Sequence, residues 1–245
     1  MKAVMLGATK GMGRALGRLL AERGGQLFLL GRDSEELKKT SADLVARGAQ
    51  PEPGTALCDL LEPEGFAPAL NAAEEQLDGF DTVIVTAGLF ATQEQLEADA
   101  ELTARLLEAD FTGTVLFCEE ARRRLLAAGG GTLCVFSSVA GERGRKPVVL
   151  YGAAKAGLSH YLEGLDHKFR AAGLKTICVK PGFVKTGMTA GLRPPPFAGE
   201  PEAVARAVLG AIDRGKPEIY SPRIWRWVMR VIRCLPRCVM RRIEF

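Results

Sequence analysis

Short apolar runs alternate with longer amphipathic stretches along the 245-residue chain. The runs cover residues 3–6, 27–30, 55–58, 82–85, 132–136, 176–179 and 218–220. Most carry no polar alternation, as expected of strands covered on both faces of a parallel sheet. Between the runs, apolar residues recur with the helical period: Leu16, Leu19 and Leu20 in the first stretch, and Leu37, Leu44 and Val45 in the second. This alternation predicts an α/β fold, a Rossmann-like, doubly wound sheet of seven parallel strands with helices on both faces, built as one domain over residues 1–220. Ligands of such sheets bind beyond the carboxyl ends of the strands. The residues just after each run are therefore the ones to search for chemistry.

Hydrophobic residues make up 47% of the chain, enough for a substantial core. The six cysteines, Cys58, Cys118, Cys134, Cys178, Cys234 and Cys238, lack zinc-ligand spacing, so no metal is expected. Cys58, Cys134 and Cys178 fall in strand-like runs and read as reduced core residues of a cytoplasmic protein. The first strand starts at residue 2, which leaves no room for a signal peptide. The longest uncharged stretch, 125–141, holds a glycine triplet and two serines and reads as helix end, loop and strand, not as a membrane span. The net charge of +4 hides an asymmetry. Residues 221–245 carry seven arginines against Glu244, a balance of +6, and the remainder has 26 bases against 28 acids, −2. A near-neutral body argues against nucleic acid as a partner.

The first run is followed by Gly7, Gly11, Gly13 and Gly17 within eleven residues. Strand, glycine loop and helix together can cradle a phosphate: glycines permit close approach, and the helix N-terminus offers N–H groups and positive partial charge. The spacing G-x-x-x-G-x-G lacks the Lys-Ser/Thr of a P-loop, and alone it equally fits a glycine-rich strand-to-helix turn. The second run ends in Gly31-Arg32-Asp33. A dinucleotide fold tests the adenosine ribose here, with an acid for the 2′-OH of NAD and an arginine for the 2′-phosphate of NADP. With Gly31 at the strand end, Arg32 next and Lys10 as a second cation, NADP(H) is preferred over NAD(H). Asp33 is expected to cap the next helix, with Glu36 completing a capping box.

The fifth run ends at Ser137-Ser138, and Y-G-A-A-K follows, with Tyr151 and Lys155 one helical turn apart. A lysine ammonium beside a tyrosine favours phenolate, so the tyrosine can donate or accept a proton near neutral pH. A serine hydroxyl can hold the substrate oxygen. Tyr-x-x-x-Lys alone fits any amphipathic helix, but here it joins Ser138 and the glycine loop.

Over residues 2–220 the chain resembles the short-chain dehydrogenase/reductase family. The matching motifs are G-A-T-K-G-M-G at 7–13, Ser138, Y-G-A-A-K at 151–155, K-P-G-F-V-K-T at 180–186, and Asp59 in L-C-D-L. The resemblance implies that Tyr151 is the acid/base, that Lys155 orients the nicotinamide ribose and lowers the Tyr151 pKa, and that Ser138 positions the carbonyl. It implies a cofactor site of Gly7, Thr9, Lys10, Gly11, Met12 and Gly13 in the first loop. Arg32, Asp59, Leu60, Ala87 and Gly88 follow after the next strands, joined by Lys155 and by Pro181, Gly182, Val184 and Thr186. The expected function is an NADPH-dependent oxidoreductase, a carbonyl reductase or alcohol dehydrogenase acting on a ketone or secondary alcohol. The substrate is expected to be lipophilic, such as a 3-keto lipid or sterol-like ketone, and the assembly a homo-oligomer. The alternative is a dinucleotide-binding regulatory protein with weak catalysis.

Two positions depart from the family. Asp110, in E-A-D-F-T-G, stands where the family has an asparagine that holds a water of the proton relay; it is expected to be a tolerated variant that strengthens the Lys155 charge. Val85-Thr86 stands for Asn-Asn, with an expected effect on hydrogen bonding more than on chemistry. His160 and His167 have no ligand partners in sequence and read as surface or packing residues.

The extension 221–245 places Arg223, Arg226, Arg230, Arg233, Arg237 and Arg241 within an arc of about 80° at 100° per residue. Ser221-Pro222 reads as its helix start, and Pro236 should divide it into two short helices. Trp225, Trp227 and the aliphatic residues opposite the arginines suggest peripheral contact with a membrane surface. The competing reading packs that face on the body or on a second subunit.

Overall fold

The strands are β1 (Lys2–Leu6), β2 (Gln26–Gly31), β3 (Gly54–Leu57), β4 (Thr82–Val85), β5 (Gly131–Phe136), β6 (Leu174–Pro181) and β7 (Glu218–Ser221). They pair in parallel in the order β3-β2-β1-β4-β5-β6-β7 in a computed structural model that describes residues 1–243. Glu244, counted in the charge of the extension, and Phe245 lie outside the described residues. The winding reverses between β1 and β4, so their carboxyl ends frame the crevice where a doubly wound sheet binds its ligand.

The helices are α1 (Gly11–Glu22), α2 (Ser34–Ala46), α3 (Phe66–Leu77), α4 (Gln93–Ala98), α5 (Ala100–Leu107), α6 (Thr114–Ala127), α7 (Val149–Phe169), α8 (Pro201–Arg214), α9 (Ile224–Cys234) and α10 (Arg237–Met240). Strand alternation sorts them between two faces. Ala3, Met5, Leu27, Leu29 and Ile84 share one apolar cluster with Leu16 and Leu20 of α1, Leu44 of α2 and Val208 of α8. Val4, Leu6, Phe28, Leu30 and Val83 share the other with Leu70 of α3, Phe117 of α6 and Leu158 of α7. Both sides of each central strand are dry, which explains their unbroken apolar runs. The edge strand β3 does alternate, and its Leu57 is largely exposed. Val45 also departs from expectation. It lies about 80–100° round α2 from the buried Leu37 and Leu44, which turns it outward, and it is exposed. His160 and His167 are both exposed on α7.

The extension breaks at Pro236 into α9 and α10, as its sequence suggests. Ser221 does not start it. That residue is the last of β7, and its carbonyl accepts the Gly182 N–H at 3.0 Å. The expected single apolar face is split. Trp225, Met229 and Ile232, at i, i+4 and i+7, are buried with Val139 in a cluster that Phe183 and Tyr220 border. Ile224, Trp227 and Val231 stay exposed. The Trp225 indole donates to the Phe197 carbonyl at 3.3 Å, and Arg143 donates to the Leu235 carbonyl at 3.0 Å. A charged network ties α9 to the sheet as well. Lys180, at the end of β6, meets Glu142 at 2.6 Å and also pairs with Glu218; Tyr220 and Arg233 both donate to Glu142, at 3.1 and 3.2 Å. These neighbours hold Lys180 charged well above the ordinary lysine range, although burial opposes its charge.

We expect Trp225→Ala to lower stability by about 3–5 kcal/mol, the cost of emptying a buried indole site. Trp227→Ala should stay within about 0.5 kcal/mol of wild type. Urea unfolding of the two variants makes the comparison, and equal losses would contradict the split.

Candidate active site

The site begins where β1 gives way to α1. The first helical hydrogen bond runs from Arg14 N–H to the Lys10 carbonyl at 3.1 Å. The amides of Gly11, Met12 and Gly13 thus have no acceptor within the helix, and α1 has no capping side chain and no acid in its first turn. An anion suits that vacancy. The glycines themselves answer a closer demand. A Cβ on Gly7, whose φ is +99°, would lie 2.5 Å from the Ala87 nitrogen, and one on Gly13 would lie 2.2 Å from the Gly7 carbonyl oxygen. Each would also strike the Thr86 hydroxyl. That hydroxyl donates to the Gly7 carbonyl at 2.9 Å, strapping β4 to the loop. The lack of side chains at Gly7 and Gly13 is therefore required by the chain's own approach to itself, before any ligand is considered. Thr86 is the useful consequence of the departure from Asn-Asn.

A cleft of about 400 Å³ opens from this loop. Thr9, Lys10 and Met12 border it, as do Arg32 beyond β2, Asp59 and Leu60 beyond β3, Ala87 and Gly88 beyond β4, and Thr186 beyond β6. Pro181, Gly182 and Val184 do not line it. Pro181 closes β6, Val184 is buried, and a Cβ on Gly182 would lie 2.1 Å from the Trp225 indole nitrogen. Asp59 accepts the Leu61 N–H at 3.0 Å, which shapes the turn after β3.

Beyond β2, acids and cations differ in what occupies them. Asp33 caps α2, accepting the Glu35 and Glu36 amides at 3.0 and 3.1 Å. Glu36 completes no capping box; its carboxylate turns to Lys39 at 3.2 Å and Arg14 at 3.7 Å. Among the described residues Arg32 and Lys10 make no ion pair, although both border the cleft.

The catalytic candidates converge from β5, α7 and the turn before α6. Successive residues of an extended strand face opposite ways, so Ser137 and Ser138 part company at the end of β5. Ser137 is buried and donates to the Lys155 carbonyl at 3.0 Å, with its oxygen 2.7 Å from Ser159 Oγ. It fixes the height of α7. Ser138 accepts the Ala140 N–H at 3.1 Å and starts the turn Val139–Glu142. That turn sits directly on α7: a Cβ on Gly141 would lie 2.6 Å from the Lys155 carbonyl carbon, and one on Gly152 would lie 2.9 Å from the Ala140 oxygen. The serine thereby stands over the helical turn that carries Tyr151 and Lys155. The Lys155 Nζ lies 5.7 Å from the Tyr151 ring centroid, and Phe90 packs edge-on against the same ring at 5.2 Å.

Asp110 completes the group differently from expectation. It sits in a π-helical turn, Glu108–Gly113, where the Thr114 hydroxyl donates to the Ala109 carbonyl at 2.7 Å. Such turns re-aim side chains and recur at functional sites. Asp110 is fully buried; one oxygen accepts the Leu89 N–H at 2.6 Å, and the other lies 3.3 Å from Lys155 Nζ with no further partner. The carboxylate pairs with the lysine directly. Gly88 makes room, since a Cβ there would stand 2.9 Å from the Asp110 oxygen.

The electrostatics follow. Burial raises the Asp110 carboxyl pKa, with Lys155 and the Leu89 amide opposing. Burial opposes the Lys155 charge, but Asp110 and Tyr151 outweigh it and hold the ammonium above its ordinary range. Tyr151 runs against the expected lowering. Burial raises its pKa more than Lys155 and the Ser138 hydroxyl lower it, and the Asp110 charge adds to the rise. The raised pKa favours the protonated phenol at neutral pH.

Comparison with known proteins establishes the family. The family model for short chain dehydrogenase matches residues 1–196. The chain is a member of the short-chain dehydrogenase family. An uncharacterized oxidoreductase of Mycobacterium tuberculosis is 32% identical over 240 residues, 98% of this chain and 96% of the relative. Carbonyl reductase family member 4 of Danio rerio is 31% identical over 219 residues, covering 86% of this chain and 90% of its own. The fold also matches a structure of actinorhodin polyketide ketoreductase with NADPH, at a TM-score of 0.80 and 22% identity over 90% of this chain and 95% of that one. This short-chain dehydrogenase is accordingly an oxidoreductase of the class that uses a nicotinamide dinucleotide.

Three contributors escaped the sequence reading. Ser137 stands in the sequence only as half of a serine pair and Thr86 only as a mismatch, while Trp225, expected at a membrane surface, is instead buried against the body. We expect Asp110→Asn to withdraw negative charge from both Lys155 and Tyr151, so both pKa values fall. Its rate at neutral pH should hold or rise, while the alkaline limb of ketone reduction, which needs Tyr151 protonated, moves to lower pH. A pH–rate profile checks this; an unmoved limb contradicts the coupling, and a loss of about 100-fold would show that the carboxylate itself is needed.

Proposed function

We propose that this short-chain dehydrogenase is an NADPH-dependent carbonyl reductase that interconverts a ketone and a secondary alcohol. The observation that carries the reading is Tyr151 on the same helical face as Lys155, whose ammonium lies 5.7 Å from the ring and 3.3 Å from the buried Asp110, with Ser138 at the turn above. A nicotinamide dinucleotide held in the cleft would supply the hydride. A ketone becomes an alcohol by gaining that hydride at carbon and the Tyr151 proton at oxygen. Ser138 is placed to donate to the same oxygen as negative charge develops on it. The tyrosinate left behind faces Lys155, which stabilises it until a proton returns.

The preference for NADPH rests on Arg32 and Lys10. Among the described residues neither makes an ion pair, whereas Asp33 caps α2 and Glu36 pairs with Lys39. Two guanidinium N–H groups suit a 2′-phosphate, and Asp33, the acid next to Arg32, is engaged in capping α2. A lipophilic substrate is supported by Phe90 and Leu150 around Tyr151 and by the exposed Met188, Leu192 and Phe197 in the segment before α8. Homo-oligomer formation is supported by the exposed Phe111 and Leu116 on the outer side of the π-helical turn and α6. The zebrafish relative's name, a carbonyl reductase, points the same way.

Tyr151→Phe keeps the ring and removes the proton donor. Turnover of a ketone should fall by about 10²–10⁴-fold, the range for a lost general acid, while NADPH binding by fluorescence titration persists. Near-native turnover would refute the role. Arg32→Asp should move kcat/KM from NADPH toward NADH. A wild-type enzyme that already uses NADH equally well would contradict the assignment to Arg32.

A further inference from the structure

The helix α9 carries two apolar stripes, and the fold uses one of them. Trp225, Met229 and Ile232 are dry against the body. Ile224, Trp227 and Val231, spaced i, i+3 and i+7, line a second stripe and are 40%, 60% and 63% exposed. Three large apolar side chains in register on a helix already anchored elsewhere do nothing for the fold. Arg223, Arg226 and Arg230 run along the border of this stripe at 100° per residue. None of the three makes an ion pair among the described residues, although Arg233, one turn on, reaches Glu142. Glu142 and Glu218, which line the clefts that Arg226 also borders, are paired with Lys180. The Arg230 guanidinium lies over the Trp227 ring at 5.8 Å, so cation and apolar ridge form one surface.

We propose that the outer face of α9 docks on an anionic lipid bilayer, with the helix lying in the interface, Ile224, Trp227 and Val231 inserted and Arg223, Arg226 and Arg230 among the headgroups. Charge complementarity selects this occupant. Uncompensated arginines beside an inserted tryptophan suit acidic headgroups above acyl chains. A nucleic acid would leave the apolar ridge unused. A second copy joined by two-fold symmetry would set the arginine row near its own image, with no acid between. No helix among the described residues is long and apolar enough to cross a membrane, so the contact is peripheral. The inference does not depend on the carbonyl reductase reading, because none of these residues belongs to the dinucleotide cleft or to the Ser138–Tyr151–Lys155 group.

The test is co-sedimentation of the full chain with vesicles of phosphatidylcholine alone and of phosphatidylcholine mixed with phosphatidylglycerol, at low and high salt. Wild type should bind the anionic vesicles, lose part of that binding in high salt through screening, and retain an apolar remainder. Each arginine neutralised should weaken partitioning by about fivefold, so the double variant Arg226→Gln, Arg230→Gln should bind about 25-fold less well. Trp227→Ala should remove the salt-resistant remainder. Both variants change exposed side chains, and an unchanged Tm verifies that they fold. Wild type that ignores phosphatidylglycerol, or binding that neither variant weakens, overturns the proposal. So does a wild-type dimer that Trp227→Ala converts to monomer without any vesicle binding, which would make this face an interface between copies.

Discussion

Two buried opposite charges, Asp110 and Lys155, lie 3.3 Å apart at the end of the cleft, and the arrangement around them exists so that neither is alone. Removing one partner of such a pair typically costs about 3–5 kcal/mol, because the other is left desolvated and unpaired. The π-helical turn aims the aspartate, the Leu89 amide takes its second oxygen, and Gly88 leaves the space between. On the lysine side, Ser137 fixes the backbone of α7. A buried pair of this kind contributes little net stability. What it provides is a fixed positive charge beside a phenol, in a place where water would otherwise blunt it.

The architecture concentrates polar chemistry at one rim of the sheet. Its central strands are covered on both sides, so their interior positions are mostly apolar, with Thr176 of β6 a buried exception, and polar groups gather where the strands end. Ser138, Thr86, Arg32 and Asp59 all stand just beyond a strand terminus. The rim is also where α1 exposes its first amides. Binding of an anion and proton transfer are therefore neighbours for a reason of solvation: both need polar groups, and this rim brings such groups together.

Most of this was legible in the chain. Seven short apolar-rich runs announce seven strands, most of them without alternation because double-sided burial removes it, and Y-G-A-A-K announces a shared helical face because residues four apart are neighbours. What was not legible depended on tertiary distance. That Gly7 and Gly13 yield to Thr86 rather than to a ligand alone requires knowing that β4 lies beside β1. The direct contact of Asp110 with Lys155 depends on a helix that widens by one residue, which no periodicity signals. Burial then reverses the sign expected for Tyr151, since a charge four residues away in sequence is easier to read than the absence of water. The division of the α9 apolar face had the same origin: a helical wheel shows which residues are apolar, but not how wide a strip the body can cover.

The contact between Gly182 and Trp225 ties two distant parts of the chain to a common history. The indole occupies the volume that any side chain at position 182 would need, with its nitrogen 2.1 Å from where a Cβ would begin. A lineage that enlarges residue 182 must first or simultaneously shrink residue 225, and one that loses the tryptophan frees the glycine to drift. The two positions are therefore expected to covary among descendants of this sequence, and a chimera joining the body of one lineage to the terminal helix of another would succeed only where small meets large at this point.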